Sequence, residues 1–436
     1  MTLLDKISRG DDDRSPEKIS STVAAGADTG VRAALRRTLR SNVRQYGMIV
    51  ALVLITVLFA VLSSGKLLTP LNITQMIQQN GYILVLAIGM MLVIVNGHID
   101  LSVGSVAALV GAIAGVLVVN WHWDWRLVLV AGLVLGGLIG AWQGYWIAYV
   151  KIPAFIVTLA GMLLFRGLAQ LLLKGQSIGP FPDAFRDIAA GFLPELGNFK
   201  GVQFVGISDF TVQLKVGPLH TLTLVLGVAA TAIVVWTELR ARRSRRSYGL
   251  PAGPKSLFTV RLVALGAVIL LFSYVLASYN GIPIVGLILI GLIVVYSFMM
   301  NRSVAGRQIY AVGGNEKAAL LSGVKTKQNT FWVFVNMGVL AALAGMIFAA
   351  RLSAATPKAG VNFELDAIAA AFVGGASASG GIGTVVGAIV GALVMGVMNN
   401  GMSMIGVQSD WQQIIKGLVL LAAVAFDVYN KRKAKG

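Results

Sequence analysis

The sequence of 436 residues contains no cysteine, three histidines and 18 acidic residues. Without cysteine there is no disulfide framework and no thiolate metal site, and three scattered imidazoles offer little for metal coordination. Charged residues make up 12% of the chain, about half of the usual share in soluble proteins. A chain with so few polar groups cannot cover a core in water, which excludes an ordinary cytosolic enzyme, a disordered chain and a nucleic-acid binder.

Apolar residues, at 56%, and 51 glycines fill the sequence instead. They form twelve stretches of about 20 residues, the length that crosses the hydrocarbon core of a membrane as a helix. The predicted spans are 46–63, 76–96, 101–120, 127–149, 154–173, 219–236, 262–279, 282–300, 331–350, 364–382, 384–406 and 411–429. We therefore predict an all-α, polytopic membrane bundle of about 12 crossings, in which 364–382 is half helix and half glycine-rich turn.

Basic residues orient this bundle, because cytoplasmic loops are enriched in lysine and arginine. With a cytoplasmic N-terminus, 26 of the 36 basic residues lie inside, eight outside, and Arg166 and Lys416 within spans. The prediction is a basic, disordered cytoplasmic tail at 1–45, a transmembrane domain at 46–430 and a cytoplasmic tail at 431–436. Loop 174–218 lies outside, and loops 237–261 and 301–330 lie inside. If 364–382 only dips in and returns, the C-terminal tail lies outside.

No source of energy for transport is visible in the sequence. A phosphate-binding G-x-x-x-x-G-K-[S/T] loop is absent, so this chain cannot hydrolyse ATP alone. Ion-coupled carriers usually bury carboxylates at mid-membrane. The acidic residues in or beside spans, Asp100, Glu364, Asp366 and Asp427, all lie near predicted span ends. We therefore expect the power to come from another protein.

One loop has the pattern of a short helix that could receive such power. Asn315 is a plausible N-cap, Glu316 complements the dipole of the first turn, and Gly323 ends the helix. We predict that Ala318 and Ala319 are exposed and present little bulk to a cleft of another protein. A connector helix without a partner explains the segment equally well. The candidate coupling residues are Gly313, Gly314, Asn315, Glu316, Ala318, Ala319 and Gly323.

Polar residues interrupt the apolar runs in three other places, and polar backbone at membrane depth is tolerated only when it is buried in protein or lines a water-filled path. The candidate path residues are Asn96, Asp100, Ser102, Ser105, Glu364, Asp366, Gly374, Gly375, Ser377, Asn399 and Asn400. Structural roles compete with this interpretation. Asp100 could simply cap a helix, Asn399 and Asn400 could bond across helices, and the ridge of Gly383, Gly387 and Gly391 favours helix packing. His98 is interpreted as a membrane-edge residue.

Three of these segments carry a resemblance to a known family: 99–105, 313–323, and 364–370 with the following glycines and 399–401. The chain resembles, from about residue 46 to 430, the permease subunits of bacterial ATP-binding cassette (ABC) sugar importers of the ribose/xylose type. His98 stands where members of that family usually have glycine. The two additional spans within 219–300 and the loop 237–261 make it more similar to the xylose or multiple-sugar permeases.

The resemblance implies a homodimeric permease in the bacterial inner membrane, with both termini cytoplasmic. It also implies a cytoplasmic ATPase with two fused nucleotide-binding modules, which holds ATP and magnesium, and a periplasmic sugar-binding protein. The Glu316 helix would be the coupling helix, and this chain would carry no cofactor, no metal and no catalytic residue. Membrane lipid is a further expected partner, and nucleic acid is not.

The expected function is therefore import of a neutral monosaccharide, a pentose such as xylose or several sugars, by alternating access. Asn, Ser and backbone groups match sugar hydroxyls without a need for charge. The alternative is a self-sufficient ion-coupled secondary transporter. An intramembrane enzyme lacks any constellation of nucleophile and base.

Overall fold

The computed structural model describes residues 43–208, 211–249 and 254–435. Over the first half of the chain its helices are α1 (Val43–Leu62), α2 (Pro70–Val95), α3 (Val103–Gly115), α4 (Trp125–Ala148), α5 (Ala154–Leu173) and α6 (Asp183–Ala190). A hairpin of β1 (Asn198–Ser208) and β2 (Thr211–His220) follows. The later helices are α7 (Thr221–Ser247), α8 (Lys255–Ala277), α9 (Ile284–Arg302), α10 (Val304–Gly314), α11 (Glu316–Leu321), α12 (Thr326–Leu352), α13 (Phe363–Val373), α14 (Val385–Met404) and α15 (Ser409–Lys435).

Helix ends follow local sequence signals. Thr69 accepts a hydrogen bond from the amide of Asn72 and Pro70 occupies the first turn of α2, both common at helix starts. Asp124 caps α4 in the same way, through the amide of Arg126 at 2.8 Å. A π turn, Val116–Asn120, extends α3 to the length of a span. These signals explain why most predicted boundaries lie within a few residues of the observed ones.

The prediction of a polytopic helical membrane protein is confirmed. Ten helices in the described part of the chain are long and apolar enough to cross a membrane: α2, α3 with its π turn, α4, α5, α7, α8, α9, α12, α14 and α15. Two of the twelve predicted spans differ from full-length helices. The apolar part of α1 is shorter, Gly47–Leu62, and the segment 364–382 holds only the 11-residue helix α13 before irregular backbone.

Four helices form the core: α2, α3, α12 and α14 are each buried over about two thirds of their apolar length or more. Helix α4 packs closely on α12, since a Cβ added at Gly338 would lie 2.1 Å from the carbonyl oxygen of Gly136. Helix α14 packs on α13 in the same manner, because a Cβ at Gly391 would lie 1.9 Å from the carbonyl oxygen of Ala370. The glycine ridge of α14 thus serves helix packing.

The predicted outer loop 174–218 contains regular structure that sequence analysis did not predict. It holds α6 and the antiparallel hairpin, in which Val202 pairs with Val216 and Phe204 with Leu214, with an irregularity before Gly206. The alternation of apolar residues in 212–216 is the sequence signal for a strand. The hairpin is thus a small addition to the helical architecture.

The predicted loop 237–261 consists mainly of helix ends. Helix α7 continues to Ser247 and α8 begins at Lys255, and residues 250–253 lie outside the described part. Arginine is a good helix former, so the basic segment extends the helix beyond its apolar part. Of the predicted N-terminal tail, 1–42 lies outside the described residues, whereas the C-terminal tail is the end of α15.

Candidate functional site

The predicted short helix α11 has the local geometry that the sequence indicated. The side chain of Asn315 accepts a hydrogen bond from the amide of Ala318 at 3.0 Å, and Gly323 ends the helix at a φ of +82°. Ala318 is exposed, but the prediction that Ala319 is exposed is wrong, since this residue is buried. Successive helical residues point about 100° apart, so the two alanines cannot share one outward face.

The exposed surface of α11 is therefore more apolar and bulkier than predicted. Leu320 is 61% exposed and Leu321 is 89% exposed, beside Ala318. The two leucines are adjacent and form a continuous exposed apolar patch with Ala318, and such patches mark contact surfaces. We call Ala318, Leu320 and Leu321 the coupling surface.

An ion pair ties α11 to the connection between α4 and α5. The ammonium of Lys151 lies 2.8 Å from Oε1 of Glu316, and both side chains are half exposed. The hydrogen bond from Lys151 lowers the pKa of Glu316 below its ordinary value. His98 lies in the same electrostatic environment, and burial lowers the pKa of its imidazole, an effect that Glu316 partly opposes. Sequence analysis did not connect these three residues, because they come from three separate loops.

The glycines before α11 allow three backbone segments to meet. A Cβ added at Gly313 would lie 1.6 Å from the carbonyl oxygen of Val95 and 2.8 Å from the amide nitrogen of Gly381. The same Gly381 amide donates to the Val95 carbonyl at 2.8 Å, at a φ of +72°. The end of α2, the end of α10 and the glycine-rich turn after α13 are thus in direct contact at this end of the bundle.

The first group of candidate path residues forms a buried polar cluster at the start of α3. Oδ1 of Asp100 accepts from the amide of Ser102 at 2.8 Å and from its hydroxyl at 2.6 Å. The side-chain amide of Gln143 donates to the Ser102 hydroxyl at 2.7 Å. Helix α3 begins at Val103, two residues later than the Leu101 start that capping by Asp100 requires, so Ser102 occupies the N-cap position and Asp100 bonds to it from outside the helix.

Two further members of that group are also buried. Nδ2 of Asn96 donates to the hydroxyl of Thr330 at 3.0 Å. The Ser105 hydroxyl is buried without a hydrogen-bond partner among the described residues. Sequence analysis missed Gln143 and Thr330, although a single glutamine within the apolar run of α4 is a detectable signal.

The second group surrounds the broken helix α13. The carboxylate of Asp366 pairs with the ammonium of Lys416 on α15 at 3.1 Å, with side-chain exposures of 7% and 24%. The hydroxyl of Ser377 donates to Oδ2 of Asp427, also on α15, at 2.9 Å. Two polar links therefore attach α13 and its glycine-rich turn to α15.

A cation on α5 holds the segment that precedes α13. The guanidinium of Arg166 donates to the carbonyl oxygens of Ala359 and Gly360, and it lies close enough to Glu364 to interact with that carboxylate. Oε2 of Glu364 is buried, with no hydrogen-bond partner in the described part of the chain. Two basic residues were predicted within spans, Arg166 and Lys416. Arg166 bonds to the segment before α13, and Lys416 pairs with a carboxylate on α13.

The two candidate glycines lie at the end of this helix. A Cβ at Gly374 would lie 2.4 Å from the carbonyl oxygen of Gly387, so this residue packs against α14. Gly375 follows in the left-handed region, at a φ of +82°. Gly374 thus makes a close contact between helices and Gly375 forms a turn. The glycine pattern in the sequence does not distinguish these structural roles from a role in a pathway.

Asn399 and Asn400 line a cavity of about 360 Å³ between α2, α12 and α14. Its other lining residues are Gln79, Asn80, Tyr82, Phe348, Arg351, Leu352 and Ser403. Oδ1 of Asn400 accepts from Nδ2 of Asn72 at 3.0 Å, which is the bond across helices that we considered. We call this space the outer cavity, because it lies at the end of the bundle opposite to α11.

A second cavity, of about 410 Å³, lies beside α11. His98, Lys151 and Glu316 line it together with Thr330. We call it the inner cavity. Of the candidate residues, Asn399 and Asn400 line the outer cavity and Glu316 lines the inner cavity, whereas the others lie outside both linings.

Comparisons with known proteins match nearly the whole of this architecture. The family model described as the permease component of the branched-chain amino acid transport system matches residues 72–245 and 255–424. The chain belongs to this permease family. No solved structure matches the chain.

Xylose and ribose permeases are similar to this chain over most of their length. The xylose transport system permease protein XylH of Haemophilus influenzae is 37% identical, covering 90% of this chain and 98% of its own. XylH of Escherichia coli K12 is 38% identical, with coverages of 90% and 94%. The ribose import permease protein RbsC of the same strain is 32% identical, with coverages of 88% and 94%. The predicted family resemblance is confirmed.

Proposed function

We propose that this permease is the transmembrane subunit of an ABC importer that carries a monosaccharide, a pentose such as xylose or several sugars, across the bacterial inner membrane. Relatives named as xylose and ribose permeases support this function. The polar groups of the outer cavity are mainly amides and hydroxyls, which suit the hydroxyls of a neutral sugar.

The observation that carries the proposal is the exposed, capped helix α11. A cytoplasmic ATPase, with two fused nucleotide-binding modules that hold ATP and magnesium, would contact the coupling surface. The coupling residues are Gly313, Gly314, Asn315, Glu316 and Ala318, together with Gly323, and Ala319 supports the helix from its buried side. Hydrolysis belongs to that partner, so this chain has neither a catalytic residue nor a cofactor of its own.

The arrangement of the spans supports a chain with both termini in the cytoplasm. Residue Ala355 bridges to Ile178 in the outer loop, whereas Gly381 contacts Val95 beside α11. The segment that contains α13 therefore connects opposite ends of the bundle, as a crossing would. Twelve crossings with 26 of the 36 basic residues inside follow from that topology. A periplasmic sugar-binding protein would dock on the outer loops, and a second copy of the chain would complete a homodimer within membrane lipid.

The mechanism is alternating access. Closure of the ATPase on ATP moves α11, and the contact of Gly313 with Val95 and the glycine-rich turn passes this motion to α2 and α13. The candidate path runs from Asn399 and Asn400 in the outer cavity to Ser102 and Asn96 at the inner end. Opening of one end as the other closes moves the sugar along this path.

Reconstitution tests the proposal against an ion-coupled carrier. In vesicles, the complete importer should accumulate labelled xylose only when ATP is present on the side of the membrane where the ATPase is bound. An inactive variant of the ATPase should abolish this uptake. The permease alone should accumulate nothing under a proton or sodium gradient. Accumulation by the permease alone would overturn the proposed function.

A further inference from the structure

The outer cavity contains polar atoms that the protein itself leaves unsatisfied. Nε of Arg351 and Oδ1 of Asn399 are both buried without a hydrogen-bond partner among the described residues. Leaving a buried donor or acceptor unpaired is unfavourable, so such atoms call for a partner of another kind. The two residues that carry this donor and this acceptor line the same cavity.

We propose that the outer cavity is a sugar-binding site of the permease itself, in which Arg351 and Asn399 bind hydroxyl groups of the sugar. This inference rests on the proposed function and adds to it, because transport through a passive gate does not require a binding site in the permease. A hydroxyl both donates and accepts, and therefore complements the Nε donor and the Oδ1 acceptor together.

The remaining walls have the chemistry of a carbohydrate site. Gln79, Asn80 and Ser403 add amide and hydroxyl groups, and Tyr82 and Phe348 add aromatic rings that can cover the apolar face of a sugar ring. The rings are held in place, since Tyr82 meets Phe348 edge to face at 5.3 Å between centroids. A volume of about 360 Å³ lies within the range of small-ligand sites.

The charge of the cavity argues for a neutral ligand. Arg351 is the only charged residue among the described residues that line it. No carboxylate is present in that lining to bind an ammonium group, so a zwitterionic amino acid would leave its ammonium unpaired in a partly buried site. Leucine is therefore the proper competitor against which sugar binding is measured.

The position of Asn399 is fixed by other helices. Its side chain hydrogen-bonds to Asp366, which is paired with Lys416 at 3.1 Å. The hydroxyl of Ser403 donates to the main-chain carbonyl of Asn399 at 2.8 Å. Asn80 fits against Gly396 on α14, where an added Cβ would lie 3.2 Å from its side-chain carbon. The binding groups are thus preorganised, as a selective site requires.

Binding to the permease alone tests the site. The full chain in nanodiscs, without ATPase or sugar-binding protein, should bind labelled xylose saturably, with displacement by ribose and not by leucine. Asn399→Leu and Arg351→Met should each weaken binding at least about tenfold, the effect of one lost hydrogen bond to a charged or buried partner. Lys358→Met, which changes an exposed residue outside the cavity, should bind as the parent does.

A thiol in the cavity gives a second measurement that does not depend on those two variants. The chain has no cysteine, so Ser403→Cys introduces a single thiol, at an exposed position of the lining. Xylose should slow its labelling by a maleimide at least about threefold, in parallel with saturable binding.

The absence of saturable xylose binding and of thiol protection would overturn the site, and so would binding that the cavity variants leave unchanged. Leucine displacing xylose would also overturn it, because the cavity would then recognise an amino acid. These failures are distinct from failure of the proposed function. ATP-dependent uptake without binding would remove the site and leave the function, whereas gradient-driven uptake by the permease alone would remove the function.

Discussion

The buried ion pair between Asp366 and Lys416 attaches the broken helix α13 to α15. Its nitrogen and oxygen lie 3.1 Å apart, and the side chains are 7% and 24% exposed. We predict that Lys416→Met destabilises the position of α13 locally, because it leaves the Asp366 carboxylate buried without its cation. The double variant Asp366→Asn with Lys416→Met removes both charges and should restore most of the stability.

The structure gives a magnitude for this effect. Removing one partner of a buried pair costs about 3–5 kcal/mol. Since a quarter of the Lys416 side chain is exposed, we expect the lower end, about 3 kcal/mol. At about 1.4 kcal/mol for each factor of ten, the population in which α13 is open should rise roughly 100-fold.

Thiol labelling measures that population directly. Ala371→Cys introduces one thiol at a position of α13 that is fully buried. Its labelling by a permeant maleimide should be roughly 100-fold faster with Lys416→Met, and within about threefold of the parent in the double variant. Lys358→Met, at an exposed position, is the matched control and should change nothing. Equal labelling in the parent and in Lys416→Met would refute the reasoning that this pair holds α13.

Three further predictions concern α11 and the residues around it. Gly313→Ala should lower ATP-driven uptake at least about tenfold, because its methyl group would lie 1.6 Å from a main-chain carbonyl oxygen of α2. Gly314→Ala is the control: an added Cβ there would meet no described atom within 4 Å, so uptake should stay within about twofold of the parent. Equal losses in the two variants would contradict the contact at Gly313. Glu316→Lys with Ala318→Trp should abolish uptake while the ATPase still hydrolyses ATP and the permease still inserts, so normal uptake would count against the coupling surface. Burial lowers the pKa of His98, so the unfolded site binds the proton more readily and the stability of this region falls as the pH drops below about 6.5. Uptake should therefore weaken on acidification to about pH 5.5, and His98→Gln should reduce this dependence of uptake on pH. The same pH profile of uptake in His98→Gln as in the parent would exclude His98 as the source of the dependence.

The parts of the site that could be predicted are those whose signals are local in sequence. Asn315, Glu316 and Gly323 define a cap, a first turn and a stop within nine residues, and each acts on the backbone beside it. The bond from the Ser102 amide to Asp100, just before α3, is an interaction of the same local kind. The spans themselves follow from apolar length alone.

The remaining parts depend on which helix faces meet, and a single sequence does not contain that information. Gln143 and Ser102 bond across 41 residues of sequence, and Asp366 and Lys416 pair across 50. Arg351 belongs to the outer cavity only because α12 ends beside α2 and α14. The error at Ala319 has a similar origin, since its burial depends on the rotation of a six-residue helix.

Helix α13 joins the two functional ends of the permease. Its first residue, Phe363, stacks on Tyr82 of the outer cavity at 4.0 Å between centroids, and Asp366 hydrogen-bonds to Asn399. The turn after its last residue contacts Val95 through Gly381, beside the helix proposed for coupling. A helix of 11 residues is about 16 Å long, so a shift of the glycine-rich turn moves the walls of the outer cavity with little intervening structure. The buried charges therefore act on the position of α13, which leaves the cavity that it borders free to bind a neutral sugar.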